Sequence, residues 1–217
     1  MSKKEKSSNY EKKLGAYKYI KRFLDIVGSL LALIVFSPIF LILSLIIKSQ
    51  DGGSAFFAQE RIGKGGKPFM MYKFRSMRMD AEGILKSDPD LYAKYVANDY
   101  KLLADEDPRI TPIGRWMRRT SVDELPQFVN ILKGDMSIIG PRPVVEKELE
   151  EYSEHKDKFL SVRPGAMGLW QATGRSNIGY PERCDVELEY IDNISFGYDV
   201  KIFFQTIFSI FKKEGAY

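Results

Sequence analysis

The sequence predicts a mainly α-helical, membrane-anchored chain with one small β-hairpin, an α+β arrangement. Three observations predict it. An uncharged apolar run of 22 residues, Ile26–Ile47, lies near the start. Two stretches rich in Phe, Met and Tyr flank Gly63-Lys64-Gly65-Gly66. The rest of the chain is rich in charge, with apolar residues at helical spacing.

The 217 residues suit one domain with a small appendage. A hydrophobic share of 44% and a charged share of 29% exclude both a disordered chain and a polytopic membrane protein. The net charge of +4 is unevenly placed. Residues 1–17 form a polar, basic tail, and within residues 1–22 eight Lys and Arg face only Glu5 and Glu11. A basic stretch leading directly into apolar residues fits an anionic membrane surface. No nucleic-acid motif accompanies it, so nucleic acid is not an expected partner. The single cysteine, Cys184, excludes an intramolecular disulfide and fits a reducing compartment. With His155 the only histidine, neither Cys/His catalysis nor a Cys/His zinc site is open to the chain.

Residues 18–48 are expected to be the membrane element. As a helix, the 22-residue run would be roughly 33 Å long, enough to cross a hydrocarbon core. Ser37-Pro38 sits at its middle. Pro38 has no N–H for the carbonyl of Ile34, so the helix should kink or break there, and the Ser37 hydroxyl is placed to satisfy the freed oxygen. Lysines and arginines flank the run on both sides: Lys18, Lys21 and Arg22 before it, Lys48 and Arg61 after it. A spanning helix shows asymmetry in these charges. On physical grounds a kinked span and a re-entrant hairpin stand level.

Residues 49–217 form the remaining domain. Strands at 55–62 and 68–77 should pair around the glycine turn. A helix is expected at 79–104, another from Asp123 to Lys133 closed by Gly134, a charged one at 144–160, and one at 181–193, with 162–176 as a glycine-rich loop. The last segment, Asp199–Lys213, is amphipathic, which suits a core-packing helix or one lying in the membrane interface.

The densest chemical signal is TSVDELPQFVNILKGDMSIIGPRP, residues 120–143. Asp123 and Glu124 are adjacent carboxylates at a helix start. Ser121-Val122-Asp123-Glu124 also reads as a capping box, with no chemistry implied. Against that plain reading, Lys73, Arg75, Arg118, Arg142, Arg163 and Arg175 lie at turns or element ends, where their side chains can converge. Guanidinium forks bind phosphate oxygens in pairs. A carboxylate among them can hold a divalent ion or attack phosphorus. There is no P-loop and no dinucleotide fingerprint, so phosphate recognition would fall to these cations and a metal.

Together these segments resemble the bacterial sugar transferases, the monotopic phosphoglycosyl transferases. The matching pieces are the Ser37-Pro38 break in a basic-flanked apolar helix, YKFRSM (72–77), DPRITPIGRWMRRTSVDELPQ (107–127), NILKGDMSIIGPRP (130–143), RPGAMGLWQATGR (163–175) and the tail KEGAY (213–217). The resemblance covers residues 20–217. It implies a monotopic fold with a re-entrant helix broken at Ser37-Pro38 and interfacial amphipathic helices. It implies a catalytic domain on the cytoplasmic face of the bacterial inner membrane, and Mg²⁺ as cofactor with Asp123 among its ligands. It further implies that Asp123 is a nucleophile toward the β-phosphate of a UDP-sugar, with Glu124 its partner and Arg142 holding phosphate. UMP would leave, and undecaprenyl phosphate would collect the sugar phosphate from the aspartate. The GLWQATGR form resembles the hexose-1-phosphate branch, hence UDP-galactose or UDP-glucose. Relatives of this kind often add a multi-helix membrane region, and this chain is expected to keep the catalytic part alone. Homodimers are a further expectation of the family.

Overall fold

The computed structural model describes residues 15–97, 102–103, 105–174 and 178–212. The fold is mainly helical with one antiparallel hairpin and a second, shorter parallel strand pair. Helix α1 (Tyr17–Asp51) is 35 residues long, about 52 Å at the usual rise. It carries on past Pro38, and the Ser37 hydroxyl donates to the orphaned Ile34 carbonyl at 2.7 Å. Gly52, in the left-handed region at φ 70°, closes it.

Strands β1 (Phe56–Ile62) and β2 (Pro68–Phe74) pair antiparallel, Phe56 opposite Phe74 and Ile62 opposite Pro68. The expected 79–104 helix is two, α2 (Ala81–Ser87) and α3 (Pro89–Ala97), and its remainder lies largely outside the described residues. Pro89 accounts for the break, since it drives Asp88 into extended backbone. Helix α4 (Pro112–Thr120) starts with Thr111 accepting the Gly114 N–H and ends at Ser121, left-handed at φ 57°.

A single 3₁₀ turn, Val122–Glu124, carries the two carboxylates, and α5 (Gln127–Lys133) comes next. The expected helix from Asp123 is thus interrupted at Leu125-Pro126. The capping box is not formed: Ser121 has left-handed φ and makes no side-chain cap bond. Gly134 does close α5, left-handed at φ 89°.

Strand β3 (Ser137–Ile139) is next in the chain. The expected 144–160 helix is α6 (Glu146–Leu149), a 3₁₀ stretch and α7 (Lys156–Phe159), broken where Ser153 takes positive φ. The segment read as a loop at 162–176 instead holds β4 (Gly165–Met167), which pairs parallel with β3, and α8 (Leu169–Thr173). Helices α9 (Glu182–Asn193) and α10 (Phe196–Lys212) complete the described chain.

The main core gathers Ile139, Val144, Tyr152, Phe159, Tyr190 and Ile202 from the second half of the chain. A second core joins α1 to the domain: Leu43 and Ile47 pack on Phe74 and Met117. The other end of α1 is held by polar contacts. Arg22 donates to the Ile131 and Leu132 carbonyls at the end of α5 (2.6 and 2.8 Å). Asp25, buried, accepts the Ser137 hydroxyl and the Ile138 N–H (3.0 and 2.9 Å). Lys21, Tyr17 and Tyr190 meet on Asp199 of α10. Both ends of α1 therefore lie on one body. Its middle turns apolar side chains outward, with Ile34 68% and Val35 67% exposed. Apolar surface of that extent along a helix long and apolar enough to cross a membrane marks membrane association.

Candidate active site

The short turn between α4 and α5 sets the site. Left-handed Ser121 ends α4 abruptly and turns the chain, so that Asp123 and Glu124 come against β2. Asp123 is 7% exposed, and among the described residues its carboxylate accepts no hydrogen bond. It lines a cavity of about 1120 Å³. Helix α1 walls the same cavity with Ala32, Phe36 and Ile39, and α10 contributes Phe203 and Ile207.

Three cations reach the carboxylates. Lys73 Nζ lies 2.6 Å from Glu124 Oε1 and Arg142 Nη1 3.7 Å from the same oxygen. Arg118 is fixed by its Nε donating to Ser76 Oγ at 2.9 Å, and its charge acts on Asp123. Burial pushes the Asp123 carboxyl up to about 6, with Glu124 adding to the rise, while Lys73, Arg118 and Arg142 pull it back. Asp123 is thus a desolvated carboxylate that neighbouring cations hold near ionisation at neutral pH.

Arg142 stands on the turn Gly140-Pro141-Arg142-Pro143. Its guanidinium lies over the Trp170 ring, 5.6 Å from the centroid, and Arg183 lies over the same ring at 4.5 Å. Trp170 is itself fixed by its indole N–H donating to the Ile178 carbonyl at 2.8 Å.

Of the residues expected at the site, Lys73, Arg118 and Arg142 converge with Asp123 and Glu124. Arg75 reaches the cavity wall, but its guanidinium is engaged elsewhere. It grips Asp51 (2.5 and 2.6 Å) and the Ser54 carbonyl (2.6 Å), tying the end of α1 to β2. Arg163 is on the outside, where its Nε donates to the Gly134 carbonyl at 2.8 Å. The Arg75 fork is thus taken up by Asp51 and Ser54, whereas Arg163 is held through its Nε alone. Arg175 lies outside the described residues. Cys184 is buried and inert, its thiol pushed up to about 11 by burial.

Two residues of the site carry no signal strong enough to single them out in the sequence. Trp170 sits inside the RPGAMGLWQATGR segment with no role of its own. Glu187 is fully buried and accepts the backbone N–H of Arg142 at 3.0 Å. Arg183 and Glu187 are four apart on the buried face of α9, beside Cys184, Leu188 and Ile191. An ion-forming pair on an apolar stripe is the signal that could have found Glu187.

The family model described as "Bacterial sugar transferase" matches residues 16–213. The chain belongs to the bacterial sugar transferase family. It is 43% identical over 204 residues to the undecaprenyl-phosphate galactose phosphotransferase of Salmonella typhimurium, covering 92% of this chain and 42% of that protein. It is 41% identical to the exopolysaccharide production protein ExoY of Rhizobium meliloti, covering 91% of this chain and 88% of that one. It is 37% identical to the UDP-glucose:undecaprenyl-phosphate glucose-1-phosphate transferase of Escherichia coli, with 94% and 42% covered. The chain thus spans about two fifths of the length of several of these sugar transferases.

Proposed function

We propose that this sugar transferase moves a hexose-1-phosphate, from UDP-galactose or UDP-glucose, onto undecaprenyl phosphate, as an early membrane step in building a polysaccharide. The names of the relatives support the two substrates. One observation carries the chemistry. Asp123 faces, with no hydrogen bond of its own among the described residues, a cavity walled on one side by Lys73, Arg118 and Arg142 and on the other by the membrane helix. Phosphate groups suit the cationic wall, and a polyprenyl chain suits the apolar one.

In the first step an Asp123 oxygen bonds to the β-phosphorus of the UDP-sugar. The bond from that phosphorus to the bridging oxygen breaks, and UMP departs with the electron pair. In the second, a phosphate oxygen of the lipid bonds to the same phosphorus and frees the aspartate. Lys73, Arg118 and Arg142 offset the charge that builds on the phosphoryl oxygens. Lys73 also neutralises Glu124, which lowers the repulsion that a second carboxylate would impose on an anionic substrate.

Mg²⁺ fits this donor set. The ion typically uses one or two carboxylates and completes its shell with water and substrate phosphates, and among the described residues no group of three or more metal-ligating side chains converges. Asp123 and Glu124 would hold it. When bound, it supplies further positive charge against the diphosphate.

The re-entrant reading of α1 belongs to the same proposal. Both of its ends bind one domain, and a helix crossing the bilayer would part them. The domain then sits on one face, the cytoplasmic side of the inner membrane, where UDP-sugars are made.

The test is Asp123→Asn, assayed for UMP release from UDP-sugar without acceptor lipid, with intact mass read on the unmodified protein. The expected results are a phospho-sugar adduct on the unmodified protein and none, with no UMP, on the variant. UMP release by the variant at the normal rate would remove Asp123 as nucleophile. Turnover that needs the acceptor and leaves no adduct would indicate direct transfer.

A further inference from the structure

The turn carrying Arg142 is pinned along its length, and its pins come from separate elements. The Gly140 N–H donates to the Met167 carbonyl at 2.9 Å. The Gly165 N–H donates to the Pro141 carbonyl at 2.8 Å. Arg61 of β1 reaches the Pro143 carbonyl at 3.4 Å, and the Ile62 N–H donates to the Val144 carbonyl at 2.9 Å. The backbones cross so closely that a Cβ at Gly165 would fall 2.1 Å from the Gly140 nitrogen. This crossing is why glycine is needed at both places.

Between Pro141 and Pro143, Arg142 carries the one backbone N–H of the three residues, and a side chain takes it. Glu187 of α9 takes it at 3.0 Å. This carboxylate is 0% exposed, and its second oxygen has no hydrogen-bond partner among the described residues. An ionisable group kept dry at that cost is poorly explained by packing, since an apolar side chain would fill the space more cheaply. Arg142 meanwhile spends its own fork on Glu124 and the Trp170 face.

We infer that Glu187 is a positioning residue for the transfer: its buried carboxylate fixes the backbone of Arg142 and thereby aims the Arg142 guanidinium at the phosphoryl group held beside Asp123. Glu187 touches no substrate. It acts through one hydrogen bond to the residue that does. This inference rests on the proposed transferase chemistry and on the phosphate role of Arg142.

The test compares Glu187→Leu, Glu187→Gln and Arg142→Ala, singly and with Glu187→Leu and Arg142→Ala combined, in the full chain in detergent, by kcat/KM for UMP release and by thermal unfolding. Misaiming one phosphate-binding group by a fraction of an ångström to an ångström is expected to lower kcat/KM by about 10- to 100-fold in Glu187→Leu. Adding Glu187→Leu to Arg142→Ala should then cost less than about threefold more, because the two act as a unit. Glu187→Gln retains an acceptor for the Arg142 N–H and should recover most of the loss. Equal costs of Glu187→Leu in both backgrounds, or activity of Glu187→Leu within about threefold of the unmodified protein, would overturn the inference. Should Glu187→Leu lose its cooperative unfolding transition, Glu187→Asp takes its place in the same comparison, since its shorter arm withdraws the acceptor and keeps the charge. If Arg142→Ala alone leaves UMP release unchanged, Arg142 holds no phosphate and the inference about Glu187 is overturned with it, while the transferase reading stands or falls on the separate Asp123→Asn test.

Discussion

At Asp123, burial and charge pull in opposite directions, and burial wins, lifting the carboxyl from its ordinary 3.8 to about 6. The direction has a consequence for stability. Between pH 4 and 6 the folded protein keeps a proton on Asp123 that the unfolded chain has lost. Stability therefore falls as pH rises through that window, and the loss is complete above it. In metal-free protein, Asp123→Asn is expected to unfold at higher temperature than the unmodified chain at about pH 7.5 and to show no such gain near pH 4. Equal midpoints at both values would mean that Asp123 carries no such penalty. Glu187 obeys the same logic, pushed up to about 7 by burial against the pull of the Arg142 N–H and of the Arg183 and Arg142 charges. Neither effect was legible in the sequence. Adjacent carboxylates, and a Glu in a helix, look alike whether wet or dry until the surrounding elements are placed.

Among the elements, those with strong local signals were read correctly. The hairpin at 56–62 and 68–74 arises from its aromatic strands and glycine turn, and the end of α5 from Gly134. Elements decided by tertiary contact were not. The β3–β4 pair forms because Gly140 and Gly165 let two backbones meet, and nothing local marks Gly165-Ala166-Met167 as a strand. The same holds for Arg75 and Arg163. Their positions at turns do not show that the Arg75 guanidinium would close on Asp51 beside the cavity, or that Arg163 would reach the Gly134 carbonyl through its Nε. The long helix α1 shows this most clearly, because Asp25, which no sequence pattern singles out, satisfies two donors of β3. Asp25→Ala would leave the Ile138 N–H and the Ser137 hydroxyl without partners, at about 1–3 kcal/mol each. Its unfolding in detergent should fall well below that of Asp25→Asn, which retains an acceptor, and equal midpoints would show that water fills the place. The non-crossing reading of α1 is tested on the same element. In a Cys184→Ser background, Ala16→Cys and Gln50→Cys should both react with a membrane-impermeant thiol reagent in inside-out vesicles, and neither in right-side-out ones. Labelling of one end from each side would establish a crossing helix.

At the scale of the whole molecule, polar and apolar chemistry are separated across one cavity. The carboxylates and cations come from β2, the 3₁₀ turn, α4 and the Arg142 turn, while the apolar wall comes from α1 and α10. The sequence announced both halves, the first as a cluster of charges and the second as the uncharged run, but not that they face each other. That arrangement depends on the polar clasps at one end of α1 and the Leu43, Ile47, Phe74 and Met117 core at the other. It makes α1 a wall of the reaction chamber as well as an anchor. An acceptor lipid arriving along such a wall does so by sliding within a sheet two molecules thick, so the quantity that governs the second half of the reaction is its mole fraction among its neighbours, not its amount per litre. Diluting undecaprenyl phosphate with inert phospholipid, at constant amounts of enzyme and acceptor in the tube, should therefore slow its glycosylation while leaving UMP release without acceptor untouched. A rate indifferent to that dilution would mean that the lipid reaches Asp123 through water.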